Sequence, residues 1–538
     1  MGLLARALAP AQRISHSYAG IQAVAVGLSL LLTLFVVAQD QMPNDDGVLY
    51  LYSAELISAG DWSRALQLFN WPFYSFLIAA VHKASGLGLE NAAYVLNALL
   101  QALTVYAFIA VVAAAGASRS VLLSAAALVL IYPEFNDYRS VIIRGFGYWA
   151  FSMVALLWLL KSRGGERKGY VLGWVVSLLL AALFRIEGLV LLGVFPLLLL
   201  FDSAIAPRAR VVGMLSVYSA LLLTGAVSLL LVALSGTDVF SLEQWNKPVQ
   251  MLADFYAALS SDLAARAQIL KDHFLIRYSH EYAWTIVLLS MLIILVTEVV
   301  SAVGFVYLAF AIYALTRVNT GMTAHARSVV LSLVALNLAM LAAFVVMLGF
   351  LAGRYPVGLV LLVMILSAFG VLPMYEQLRG WAQKWGRARW VSAAFALIAV
   401  FFLVDGAVTT SSGKAHVAEA AEWLRDEVGP SERVFGTNYP LLFRAGKIEF
   451  ETYAALRAAS REGGNLRLKK EEPFASRLAS SSWTEYDYIA APISRKNPDE
   501  QHTIDAILGS GPVKEFQSRK GDRVLIYRVP ARSDQAFP

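Results

Sequence analysis

The feature that most constrains this chain is a succession of apolar runs of about 15 to 25 residues, separated by short clusters of Lys and Arg. A run of that length crosses bilayer hydrocarbon as a helix, because a helix satisfies its own backbone hydrogen bonds where no water is present. The runs fall near residues 19–38, 92–115, 120–133, 144–160, 169–184, 188–202, 210–235, 282–316, 328–350, 357–373 and 391–408, about eleven spans. The 282–316 run is long for one crossing. Residues 70–88 read as an interfacial helix, because a full crossing there would invert every later loop and carry the basic clusters to the opposite side. The first run leads into Gln39 without a small-residue cleavage site and reads as a retained helix.

With this count, Arg6 and Arg13, Arg119, the cluster containing Lys161, Arg163, Arg167 and Lys168, Arg208 and Arg210, Arg317 and Arg327, and Arg379, Lys384, Arg387 and Arg389 all fall on one side. That places the N-terminus in the cytoplasm and the C-terminal segment outside. The basic residues serve topology, so the formal charge of +6 requires no nucleic-acid partner. Of the residues, 58% are hydrophobic and none is cysteine, which rules out disulfides and thiolate metal sites. The expected organisation is a transmembrane domain over 1–408, with outer loops 39–91, 133–144 and 236–283, and a small soluble α/β domain over 409–538. In that domain a helix is expected at Ala415–Val428, with strands near Arg433–Gly436, Tyr486–Ala491, Val513–Gln517 and Val524–Val529.

The polar stretch Asn44-Asp45-Asp46-Gly47 follows the first span and precedes Val48, Leu49, Tyr52 and Leu56 at helical spacing, with Ser53, Glu55 and Ser58 opposite. The pattern predicts a surface helix in which the Asp pair either acts chemically or caps the first turn. A second helix is expected from Trp71 to Ala84, with Pro72 in its first turn and Gly86 after its end. The next outer loop carries Glu134, Asp137 and Arg139, with Arg144-Gly145 at the re-entry point. A later outer turn reads Gly353-Arg354-Tyr355-Pro356, and Arg185 stands two residues before Glu187. Arginines at span ends either chelate phosphate or reach to the interface. Tyr148-Trp149 reads as interfacial aromatic material rather than a sugar platform. His273 and His280, near Asp272 and Glu281, read as solvated loop residues rather than metal ligands. No Gly-rich loop stands in a nucleotide-binding context.

Asp46-x-x-x-Tyr50 continuing to Gly60-Asp61-Trp62, the Pro133 to Trp149 region and Trp423 in an Ala-x-x-Trp-Leu context resemble the GT-C superfamily of membrane glycosyltransferases. These use polyprenyl-phosphate sugars and include lipid A aminoarabinose transferases and protein O-mannosyltransferases. The resemblance covers nearly the whole chain in layout. It implies a polytopic α-helical membrane protein of about 11 transmembrane helices with a C-terminal α/β domain, in a bacterial inner membrane, that domain being periplasmic. It implies transfer, with inversion, from a polyprenyl-phosphate-linked sugar to a glycan, lipid or protein acceptor. Membrane lipids would be further partners, and a divalent metal ion is an open cofactor.

An acceptor hydroxyl needs a carboxylate to take its proton, and a phosphate leaving group needs cations to hold its charge. The base candidates are Asp46, then Asp45. Many relatives carry an aspartate after the arginine of the re-entry point, where this chain has Gly145, so Glu134 or Asp137 takes that role or the chemistry differs. Arg354, with Tyr355 beside it, then Arg144, Arg139 and Arg185 are the candidates for the donor phosphate. The rival readings are a transporter or lipid-carrier flippase, and a degenerate non-catalytic GT-C protein. Transporters show internal repeats, which this sequence lacks, and its only charge deep within a span is Glu298.

Overall fold

The computed structural model describes residues 2–39, 42–162, 167–201, 206–234, 243–317, 321–408, 414–462 and 473–529; Arg163, loop residues 236–242 and residues 409–413 lie outside these. The chain divides into two compact units. One comprises residues 1–33, 95–136 and 144–407; the other comprises 34–94, 137–143 and 408–538.

Among the described residues, seven helices are long and apolar enough to cross a membrane: Tyr18–Val37, Leu89–Ala114, Pro207–Ala226, Arg277–Val303, Ala324–Leu348, Val357–Gln383 and Ala388–Ala407. Five shorter apolar helices accompany them: Arg119–Ile131, Gly145–Lys161, Gly169–Phe184, Glu187–Leu198 and Phe305–Thr316. Side chains such as Leu31, Leu34, Val212 and Leu222 are more than 60% exposed, an apolar surface suited to lipid rather than water. The chain is a multi-pass membrane protein.

Two expected boundaries move, for one physical reason. The helix of the first span begins at Gly2, and the helix of the 357–373 run continues through Pro373 to Gln383. Hydropathy marks where a helix leaves lipid, not where it stops. The long 282–316 run is two helices, Ala283–Val303 and Phe305–Thr316, broken at Gly304, whose φ of +74° and ψ of 141° only glycine adopts without strain. Within this unit the helices pack without a hydrophobic driving force between them, so close approach and polar contacts matter. A Cβ at Gly370 would lie 2.0 Å from the Phe310 carbonyl oxygen, and the Thr33 hydroxyl donates to Gln101 at 2.8 Å.

The second unit is built on a four-stranded sheet of β1 (Val434–Gly436), β2 (Tyr488–Ile493), β3 (Lys514–Gln517) and β4 (Arg523–Arg528), in the order β1-β2-β4-β3. β1 and β2 are parallel; the other two pairings are antiparallel. Strand alternation sends Tyr488, Ala490, Val524 and Ile526 to one face, in a core with residues of helices Ala415–Glu427 and Tyr439–Arg444. Ile489, Ala491, Ile493, Leu525 and Tyr527 go to the other, with residues of helices Phe474–Ala479 and Glu500–Leu508.

The same unit holds helices Asp45–Ser58, Trp62–Leu68 and Phe73–Ser85, the last with Pro72 at its N-cap and Gly86 at its C-cap. The Asp45–Ser58 helix departs from the expected one-sided surface helix: Ser53, on its supposed polar face, is fully buried. Val48 and Leu49 pack with Tyr453, while Tyr50 meets Phe69 and Tyr74 edge-on. Neighbours on both sides bury the small Ser53, while Glu55 on the same face stays exposed. Gly60-Asp61-Trp62 is a turn and a cap: Gly60 has a φ of +86°, and the Asp61 carboxylate accepts the Arg64 backbone N–H at 3.1 Å.

Candidate active site

In the second unit the Asp45–Ser58 helix is capped by Asn44, not by either aspartate, and Asn44 makes no side-chain cap bond. Its amide brackets the connecting segment instead. Oδ1 accepts from the Ile142 backbone N–H at 2.9 Å, and Nδ2 donates to the Ile142 carbonyl at 3.4 Å. Gly47 makes this clamp possible, since a Cβ there would lie 2.7 Å from Asn44 Oδ1 and 3.1 Å from the Ile142 Cβ. Asp45 and Asp46 stand in the first turn, where the helix dipole favours negative charge. Asp45 is exposed and Asp46 half-buried. Both act on the Tyr453 hydroxyl, which burial pushes up and which the Arg457 guanidinium draws down. Gly47→Ala is expected to break the clamp at a cost of about 1–3 kcal/mol, read as a lower melting temperature in detergent. An unchanged melting temperature would contradict the clamp.

In the first unit, Arg185 and Glu187 flank the break between helices Arg167–Phe184 and Glu187–Leu198. Both are buried and form an ion pair, with Arg185 Nε 2.9 Å from Glu187 Oε1. The Arg185 guanidinium lies 4.9 Å from the Tyr355 ring centre and 5.8 Å from that of Tyr148. Arg354 lies 5.8 Å from the same Tyr355 ring, which stacks on Phe344 at 5.3 Å. Arg144 is near enough to act on Glu187 electrostatically. Arg144 and Arg185 thus act on one carboxylate, and Arg185 reaches across the sequence to the tyrosine beside Arg354, guanidiniums of the kind that bind phosphate.

No family model and no curated protein matches the sequence. The structure is similar to that of the Archaeoglobus fulgidus oligosaccharyltransferase tethered with an acceptor peptide containing the NVT sequon, at 12% identity and a TM-score of 0.50 over 95% of this chain and 74% of that one. The chain has a GT-C-like fold. ArnT from Cupriavidus metallidurans is also similar, at 14% identity and a TM-score of 0.39 in the apo state, and at 13% and 0.38 bound to undecaprenyl phosphate, over 94% of this chain and 98% of ArnT in each case. At 12% identity, the property shared with the oligosaccharyltransferase is the fold.

The remaining candidates are distributed between the two units. Glu134 is half-buried in the first unit, and Asp137 is exposed in the second. Arg139, also in the second unit, is fully buried, and burial pulls its guanidinium down to about 9, still charged at neutral pH. Tyr148 and Trp149 are not interfacial, as their sequence suggested, but buried: Trp149 packs against Phe135 and Phe146. This bears on Gly145, where a Cβ would lie 3.2 Å from the Trp149 ring. Gly145→Asp is accordingly expected to lower the melting temperature and to confer no gain in activity; a stable, more active variant would contradict that packing. Among the described residues no group of three or more His, Asp or Glu is arranged to hold a metal ion. His280 contacts the Leu275 carbonyl at 3.2 Å, and Asp272 accepts from Gln268. Sequence reasoning missed the Asn44 clamp, because the stretch reads as two carboxylates. It missed Tyr453 because no motif marks that helix.

Proposed function

We propose that the protein is an inverting glycosyltransferase of the bacterial inner membrane, moving a sugar from a polyprenyl-phosphate carrier to an acceptor on the periplasmic face, with residues 409–538 as its periplasmic domain. Asp46 takes the proton of the acceptor hydroxyl as its oxygen attacks the anomeric carbon. The bond from that carbon to the phosphate oxygen breaks, and the phosphate leaves with the electron pair. Arg354 and Arg144 hold the phosphate charge, and Arg185, bound to Glu187, positions Tyr355 beside Arg354. Asp45 is the alternative base. The observation that carries this reading is the meeting of Arg185 with Tyr355, the neighbour of Arg354, while Arg144 and Arg185 both act on Glu187. A guanidinium serving only topology has no need of rings from other helices, which Arg185 has in Tyr148 and Tyr355.

Arg354→Ala is expected to weaken binding of a polyprenyl-phosphate-sugar about tenfold or more, the loss of one charge-assisted contact. Equilibrium binding of labelled donor in detergent measures it. An unchanged affinity would reduce Arg354 to an interfacial anchor.

A further inference from the structure

The second unit contains a cavity of about 190 Å³ beside β1, whose lining includes Tyr439, Tyr453, Glu449, Tyr486, Arg477 and Lys447. Its polar groups are held in place. Glu449 accepts from Arg433 Nη2 and the Thr452 hydroxyl at 3.1 Å each and from the Tyr486 hydroxyl at 3.3 Å. The hydrogen bonds from Arg433 keep the Glu449 carboxyl below its usual range, so it is an anion at neutral pH. Tyr439 and Tyr453 form an aromatic corner, with ring centres 4.8 Å apart and planes at 47°. Arg477, itself exposed, is close enough to act on the Tyr439 hydroxyl. Lys447 Nζ, with three donors, contacts the Glu432 and Gly429 carbonyls.

The volume is below the roughly 300–1,000 Å³ of sites for drug-sized ligands, so one ring-sized unit fits. An apolar occupant would strip water from Glu449 and the tyrosine hydroxyls without replacing it. A sugar matches both chemistries, since its C–H face lies on aromatic rings while its hydroxyls reach a fixed carboxylate and phenols. Arg477 and Lys447 add a place for negative charge.

We propose that this cavity is a glycan subsite taking one sugar unit that carries an anionic group, and that this unit belongs to the acceptor. The acceptor role rests on the transferase reading, whereas the binding does not. Tyr453 connects the two, because its hydroxyl lies within the electrostatic reach of Asp45 and Asp46.

The test uses the full chain in detergent, with methyl glucuronide and methyl glucoside as probes and saturation-transfer NMR as readout. The glucuronide is expected to bind about tenfold more tightly than the glucoside, and Arg477→Gln to remove that preference while leaving glucoside binding unchanged. No saturation of either probe, or a glucuronide preference that survives Arg477→Gln, overturns the subsite. Probe binding as described in a wild type that transfers no sugar leaves the subsite standing and removes the transferase reading. Transfer without probe binding does the reverse.

Discussion

Asp46→Asn is expected to abolish sugar transfer while the protein is extracted and melts as the wild type does. The exchange is nearly isosteric and falls in the first turn of the Asp45–Ser58 helix. It weakens the favourable placement of a charge near the helix N-terminus, worth about 0.3–1 kcal/mol. The Asn44 clamp on Ile142 and the packing of Val48 and Leu49 are untouched. On the proposed role, what disappears is the general base, typically worth about 10²–10⁴ in rate. Asp45→Asn is expected to cost less than tenfold. Each variant is assayed with labelled polyprenyl-phosphate sugar in detergent, alongside its melting temperature. If Asp46→Asn retains full activity and Asp45→Asn loses it, the base is Asp45; if neither loses activity, this helix carries no base.

The largest structural effect is expected at Glu187. Truncation to Ala leaves the Arg185 guanidinium buried between Tyr148 and Tyr355 without its carboxylate, and breaking a buried pair in this way costs about 3–5 kcal/mol. The melting temperature in detergent should fall sharply, and Tyr355 should lose its fixed position beside Arg354. Replacing both partners by apolar residues, Arg185→Met with Glu187→Leu, should restore most of the stability, because no charge is then left unpaired. Donor binding should not recover with it. Wild-type melting of Glu187→Ala would mean that the pair contributes nothing to the fold.

The sequence showed most of the architecture because lipid imposes a simple rule: a continuous apolar run must be a helix, and its length must match the bilayer. All four strands of the C-terminal sheet were legible from short β-branched and aromatic runs. The break at Gly304 was less clear, because one glycine in an apolar helix is tolerated as often as it interrupts. The candidate site was legible by residue type but not by partnership. Arg354, Arg144 and Arg185 stood out as charges at span ends, yet no local pattern connects positions 41, 169 and 210 residues apart. The neighbours of Arg185 across the chain, Tyr148 and Tyr355, are set by helix packing alone. Asn44 is the counterpart on the polar side: the sequence offered the aspartates as the cap, whereas Asn44 holds the N-cap position and its side chain bonds to Ile142 across the chain.

The most direct measurement follows a labelled undecaprenyl-phosphate sugar with the purified wild-type protein and an acceptor glycan in detergent. Free undecaprenyl phosphate and glycosylated acceptor are expected in equal amounts, with the anomeric configuration inverted. If the donor stays intact, and the same protein in vesicles only carries it from one leaflet to the other, the protein is a carrier of lipid-linked sugars and the transferase account is wrong.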